Sequence, residues 1–379
     1  MFQLDIVLRR HVFLVRMILL LVAGLGRSQT VSAGPVLTNP ALGTITLVAK
    51  DASALDEIDG LAFDAYGNLF GTLEIDKDSG GNPRGGIVYV DKLTGTITNL
   101  ISDIDRADQI AFDPVSSTAT LGRFYVTSES RGLASTSDRL FRVEVSYNAK
   151  LPQSATKASV TTTAGLLGLE GLVVLEQDAG DYGSAGDIFV CEDSPRAAVH
   201  AIAHITPAGV TTLLTPNGNS AFNLNRPEGL AFGDFHGALT EALYAAETSR
   251  DRIVRIDPTG AISIFGTPTV IGLESPDNVE FGPDGFLYVS EDRGSQRGRI
   301  IRIAADGTHS VFATGFNSPQ GLAFDPKNGD LYISERSSET IWRVSFATSV
   351  PEPSAFALFG TGVIGLIGYC IRRQKLLRS

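Results

Sequence analysis

The chain has 379 residues, 43% of them apolar and 19% charged, enough to enclose a sizeable core. Its formal charge is −11, and without residues 1–33 and 350–379 the body sets 23 bases against 40 acids. A body this acidic repels phosphate backbones, which argues against a nucleic-acid partner and leaves cations, cationic surfaces or neutral ligands. One of the two cysteines, Cys370, lies in the apolar C-terminal stretch, so Cys191 has no partner for a disulfide framework in the body.

The N-terminus carries Arg9, Arg10 and Arg16, then an apolar run from Met17 to Gly26, then Val31-Ser32-Ala33 with small residues at the −3 and −1 positions. This order predicts a signal peptide over residues 1–33, cleaved after Ala33 by signal peptidase. A membrane anchor is the alternative, and the apolar run is short for one.

From residue 43 onward one grammar recurs six times. The units open with Asp59-Gly60, Asp108-Gln109, Glu170-Gly171, Glu228-Gly229, Asp277-Asn278 and Gln320-Gly321, each followed by an apolar strand such as Leu61-Ala62-Phe63. The second residues of these markers are spaced by 49, 62, 58, 49 and 43 positions. A Gly- or Pro-bearing turn usually follows, then a second apolar strand that ends in Glu: Glu74, Glu129, Glu192, Glu247, Glu291 and Glu335. A third strand alternates apolar residues with arginine, as in Arg252–Ile256, and a fourth follows a Gly turn, as in Ile262–Phe265. Four short strands per unit at this period predict an all-β, six-bladed β-propeller over residues 34–349.

The sixth unit runs out of chain after three strands. A spare segment of fourth-strand type, Gly43-Thr44-Ile45-Thr46-Leu47-Val48-Ala49, stands at the front. It is expected to pair beside residues 340–346, completing the last blade and hiding the two edges of an open array.

Antiparallel first and second strands bring the blade markers and the terminal glutamates to one face. Asp59, Asp108, Glu170, Glu228 and Asp277 then form an inner ring of carboxylates, with Gln320 at the sixth place, and the six glutamates form an outer ring. Arg131, Arg196, Arg250, Arg293 and Arg336 follow Glu129, Glu192, Glu247, Glu291 and Glu335 within a few residues, which predicts structural ion pairs. For the inner ring two readings stand: oxygen ligands for a hard divalent cation, Ca²⁺ first, or caps on backbone N–H groups in a solvated funnel. His200 and His204 are four apart, but they fall in a predicted strand and its approach, not on a helix that would pair them as metal ligands. No histidine in the body has a recognisable Ser or Cys partner motif for nucleophilic catalysis.

The chain ends on Pro351-Glu352-Pro353, an uncharged stretch from Ala355 to Ile371, and the bases Arg372, Arg373, Lys375 and Arg378. The stretch is about long enough to span a bilayer core as a helix, with the bases on the cytoplasmic side. This tail resembles the PEP-CTERM sorting signal of Gram-negative bacteria. The resemblance implies recognition by an exosortase, transient anchoring at the inner membrane, cleavage near the Pro-Glu-Pro motif, and delivery to the cell surface or extracellular matrix. A plain C-terminal anchor has the same topology without release.

Pro227-Glu228-Gly229-Leu230-Ala231-Phe232 and Gly282-Pro283-Asp284-Gly285-Phe286-Leu287-Tyr288-Val289-Ser290-Glu291-Asp292 resemble propellers of the gluconolactonase, senescence-marker-protein and NHL type. In the lactonase branch the resemblance implies a divalent metal at the channel mouth, with Glu170 or Glu228 and Asn278 matching its ligands by type and blade position. Ser275-Pro276-Asp277-Asn278 also resembles a fragment of the PhoX-type alkaline phosphatases, calcium-dependent propellers. Two functions follow as expectations: an exported surface protein that binds a ligand or partner at its acidic face, or a divalent-metal hydrolase of a lactone or phosphoester.

Overall fold

Short runs rich in Val, Ile, Leu, Phe and Tyr, separated by tight Gly and Asp turns, form six antiparallel sheets arranged as a six-bladed propeller. The computed structural model describes residues 34–347 except 77–78, 83, 130–138, 161–165, 167, 193–199, 216–223 and 267–271. The expected signal peptide, the Pro351-Glu352-Pro353 motif and the membrane helix lie outside the described residues, as do Arg131 and Arg196. Among the described residues no helix is long and apolar enough to cross a membrane.

The inner strands are Ile58–Phe63, Ala107–Asp113, Leu169–Val174, Pro227–Gly233, Pro276–Phe281 and Pro319–Phe324. Each pairs with a second strand: Leu69–Leu73, Leu121–Ser128, Ile188–Glu192, Ala242–Glu247, Leu287–Glu291 and Leu331–Glu335. Blade 6 closes as expected. Gly43–Lys50 pairs antiparallel with Thr340–Phe346, with Ile45 opposite Val344 and Thr46 opposite Arg343. Blade 5 carries a fifth strand that the sequence pattern did not announce: Val36–Leu37 pairs with Thr314 and Ala313 on its outer edge.

The core lies between blades. At one register position of the second strands every blade places an aromatic ring: Phe70, Tyr125, Phe189, Tyr244, Tyr288 and Tyr332. All six are buried. Near the axis, side chains give way to backbone. A Cβ on Gly60, Gly229 or Gly321 would sit 2.8, 2.5 or 2.5 Å from a carbonyl oxygen of the next blade, so only glycine lets neighbouring inner strands approach this closely.

Buried hydroxyls fasten blade to blade at this level. Thr72 reaches the Asp108 carbonyl, Ser290 the Gln320 carbonyl (2.6 Å) and Ser334 the Asp59 carbonyl (2.6 Å). Ser334 also accepts the Gly321 N–H at 2.7 Å, so it ties the last blade to the first. Blades 3 and 4 place Cys191 and Ala246 at this position. Ser334→Ala strands a buried N–H and carbonyl, and chemical denaturation is expected to show a loss of about 1–3 kcal/mol. A loss under about 0.5 kcal/mol would mean that the hydroxyl does not fasten the ring.

Candidate functional site: an acidic channel mouth with a polar crossbar

Every inner strand bulges where it enters the sheet. Ile58 faces Leu73 and Leu61 faces Gly71, which leaves one extra residue around Asp59-Gly60, and the shift recurs in all six blades. The residue two places before each inner-ring position has a left-handed backbone: Glu57 (φ 50°), Arg106 (44°), Gly168 (60°), Arg226 (52°), Ser275 (48°) and Ser318 (59°). Such a conformation in five non-glycine residues is costly and persists where the surroundings enforce it. Here the carbonyl of that residue accepts an N–H from the end of the second strand. Glu57 receives Glu74, Arg106 receives Glu129, Arg226 receives Thr248, Ser275 receives Asp292 and Ser318 receives Arg336, at 2.9–3.1 Å.

That register corrects the expected outer ring. Glu192, Glu247, Glu291 and Glu335 stand opposite the first residue of their inner strands, whereas Leu73 and Ser128 hold that place in blades 1 and 2. Glu74 and Glu129 come one residue later, and a one-residue offset turns a side chain to the other face. They line the channel mouth with Thr248, Asp292 and Arg336. Three of the other glutamates brace loops. Glu247 accepts the Asn225 N–H (2.7 Å), Glu291 the Glu274 N–H (2.9 Å) and Glu335 the Asn317 N–H.

The ion pairs are rearranged as well. Arg250 bonds Glu247 at 2.7 Å as expected, and Arg252, directly across the ladder, bonds it too. Glu291 takes Arg299 as its cross-strand partner, and Arg293 turns to Glu274 at 2.8 Å. Glu335 accepts from Thr340 Oγ1 (2.6 Å) and Trp342 Nε1 (2.8 Å), while Arg336 crosses to blade 1 and contacts Glu57 (2.6 Å), Asp59 (3.6 Å) and Glu74. The expected pairs assumed the nearest arginine in sequence; strand pairing selects the nearest in space.

The mouth is a cavity of about 740 Å³ that gathers the five inner-ring carboxylates with Glu74, Glu129 and Asp292, against Arg106, Arg226 and Arg336. Asp59 and Asp108 are buried, at 3% and 6% exposure. Together with Glu74 they bring carboxylate oxygens within 4.8 Å of one another. Burial, with Asp292 and Glu228 nearby, raises Asp59 to about 7 despite the opposing field of Arg336 and Arg106. Burial also pushes Asp108 well up, reinforced by the charge of Glu170 and a hydrogen bond with it, and pushes Asp277 well up, reinforced by Glu228 and Asp59. Glu228 accepts from Thr248 Oγ1 (2.6 Å) and Arg226 (3.1 Å).

Arg106 is the residue that sequence reasoning missed. Its buried guanidinium contacts Glu74, Glu129 (2.7 Å) and Asp76 (2.9 Å), so one cation bridges blades 1 and 2. Asn278, a candidate metal ligand by sequence, sits beside Gln109 and is not among the residues lining the mouth. Its Nδ2 donates to Gln109 Oε1 at 2.8 Å, and Gln109 Nε2 donates to Asp59 Oδ1 at 3.0 Å. Gln109 and Asn278 replace the glycine found at this position in the other four blades, and they belong to blades 2 and 5, which face each other across the ring. The pair is a crossbar that divides the channel. His200 lines the mouth, whereas His204 bonds Asp187 at 2.8 Å and stacks on Phe189, so the two histidines do not act together.

Fold and site define a class: a six-bladed propeller with an acidic, arginine-braced channel mouth. Residues 349–374 match the PEP-CTERM protein-sorting motif, which marks the chain for exosortase-dependent export to the cell surface. Solved structures of the same fold include a gluconolactonase from Xanthomonas campestris (TM-score 0.57, 16% identity, covering 83% of this chain and 95% of that one). A luciferin-regenerating enzyme (0.52, 14%, 82% and 95%) and the PQQ domain of a pyranose dehydrogenase from Coprinopsis cinerea (0.53, 13%, 82% and 97%) are also similar. At these identities the likeness shows the fold, and the three names describe different chemistries on it. No curated protein matches the sequence.

Proposed function

We propose that this chain, freed of residues 1–33 and of its sorting tail, is a propeller of the cell surface or extracellular matrix that binds a cation at its acidic mouth. A hard divalent ion of the Ca²⁺ type suits it best. The observation that carries this reading is the convergence of Asp59, Asp108 and Glu74, three buried carboxylates with ligand atoms within 4.8 Å. An all-oxygen donor set of this kind fits Ca²⁺. Asp59, raised to about 7, is partly protonated near neutral pH, so cation binding there releases protons. Glu170, Glu228 and Asp277 add further carboxyl oxygens around the same opening.

Calorimetric titration of the purified protein with CaCl₂, in two buffers of different ionisation enthalpy, tests this directly. One saturable site with net proton release is expected, and the double variant Asp59→Asn/Asp108→Asn should lose it. Absence of saturable binding at millimolar Ca²⁺ would sink the reading.

A second reading, a metal-dependent hydrolase of a lactone or phosphoester, draws on the Asp108–Glu170 contact. Two carboxyls joined by a hydrogen bond, one of them pushed well up, can share and pass a proton. A bound divalent ion would supply polarisation of the scissile group, and the similar gluconolactonase makes lactones the first substrates to try. Turnover that EDTA abolishes would favour the enzyme. A full panel without turnover, alongside Ca²⁺ binding, would favour the binder.

A further inference from the structure

Beyond the Gln109–Asn278 crossbar the channel opens into a second cavity, of about 460 Å³, that faces the other end of the ring. Leu61, Ile110, Leu172, Leu230 and Leu322 with the rings of Phe63, Phe112 and Phe324 form its apolar side walls, beside the polar crossbar and the acids Asp64, Glu176 and Glu280. One inner-strand residue breaks this pattern. Glu280 faces Tyr288 in the ladder, the place held in the other blades by Ala62, Ala111, Val173, Ala231 and Ala323. An alanine or valine would continue the wall; the glutamate puts a carboxyl into the cavity instead.

No hydrogen bond or ion pair to Glu280 is present among the described residues. Its half-buried place, reinforced by the charge of Glu176, pushes it up to about 8. Among the described residues the cavity lining contains no basic side chain. Lys92, 5.0 Å over the Phe63 ring, is engaged by Asp325. The other two acids of the lining differ from Glu280. Asp64 is spent on its own turn, accepting from Tyr66 N, Asn68 N and Asn68 Nδ2 at 2.7–2.8 Å. Glu176 is exposed at the rim and adds a second negative charge. A lone carboxyl among apolar walls is unfavourable unless something pairs with it.

We propose that this lower cavity is a binding site for a small organic ammonium compound, its charged nitrogen on the Glu280 carboxylate and its apolar body against the leucine and phenylalanine walls. The negative rim rejects carboxylates and attracts amines, and the apolar walls reject small hydrated cations. The crossbar separates this site from the acidic mouth, so the inference does not depend on what the mouth binds.

Calorimetry at pH 8 with hexylamine, hexan-1-ol and hexanoate as probes tests it. Hexylamine is expected to bind one per chain, at least tenfold more tightly than hexanol, and hexanoate not at all. Glu280→Gln should weaken hexylamine at least tenfold. Glu280→Ala, which restores the alanine of blades 1, 2, 4 and 6 and so preserves folding, should do the same while leaving the weaker hexanol binding in place. The proposal is overturned if hexylamine shows no saturable binding, if hexanol or hexanoate binds as tightly, or if both Glu280 variants bind hexylamine like the parent protein.

Discussion

Replacing Arg106 by methionine should cost about 3–5 kcal/mol of folding free energy, a very large loss for a single side chain. The guanidinium is only 3% exposed and touches three carboxylates on two blades, Glu74 and Asp76 of blade 1 and Glu129 of blade 2. Methionine fills most of the space but leaves Glu74 in a buried cluster with Asp59 and Asp108, with Arg336 as the cation still in contact. Removing one partner of a buried ionic network costs more than the network contributes as a whole, because uncompensated charge stays behind. Arg106→Lys should fall in between, since an ammonium keeps the charge but cannot present the planar fork that serves three acceptors at once. Urea denaturation reads both effects. Added Ca²⁺ should recover more stability in Arg106→Met than in the parent protein, because a cation at the cluster replaces the missing charge. Loss of less than about 1 kcal/mol in the methionine variant would show that Arg106 is not the brace of this mouth.

Much of this arrangement was legible in the chain. Closure of the ring could be read because Gly43–Ala49 repeats the text of a fourth strand and the sixth blade lacks one; the ladder from Gly43–Phe346 to Lys50–Thr340 bears this out. The inner carboxylate ring followed from antiparallel pairing alone. The fate of the terminal glutamates was hidden in a count of one. Leu287-Tyr288-Val289-Ser290-Glu291 reaches its glutamate at the fifth residue, whereas Leu69-Phe70-Gly71-Thr72-Leu73-Glu74 reaches it at the sixth. In a strand that difference decides between bracing a loop and lining the channel. Aligning the second strands on their shared aromatic would have revealed it, since Glu74 and Glu129 come four residues after Phe70 and Tyr125 but Glu192, Glu247, Glu291 and Glu335 come three after theirs. The left-handed entry residues left a fainter trace, the recurrent proline after Arg226, Ser275 and Ser318. The crossbar left none that pattern reading can use, because Gln109 and Asn278 meet only through closure of the ring, 169 positions apart. Their departure from glycine at a marker position was visible; its meaning required the opposite blade.

The mouth should make this protein more stable in mild acid than at alkaline pH, against the usual trend for acidic proteins. Asp59 titrates near 7 in the folded chain and near 3.8 when unfolded, so between those values the folded state holds a proton that the unfolded state has released. Stability from this group is therefore fully present below about pH 4 and is lost as pH rises through 7. Between pH 5 and pH 8 the loss from Asp59 alone is about 3 kcal/mol at about 1.36 kcal/mol per unit. Asp108 and Asp277, raised by the same burial and by mutual repulsion, act in the same direction. Denaturation midpoints measured at half-unit steps from pH 5 to pH 8.5 should fall, and the fall should be shallower in Asp59→Asn, which cannot ionise. At pH 8 that variant should be the more stable of the two when no divalent ion is present. Saturating Ca²⁺ should flatten the parent's curve, since a bound cation does for the ionised ring what protons do in acid. Parallel curves for the parent and Asp59→Asn would show that the ring is not strained by its own charge, and the case for a cation at the mouth would go with it.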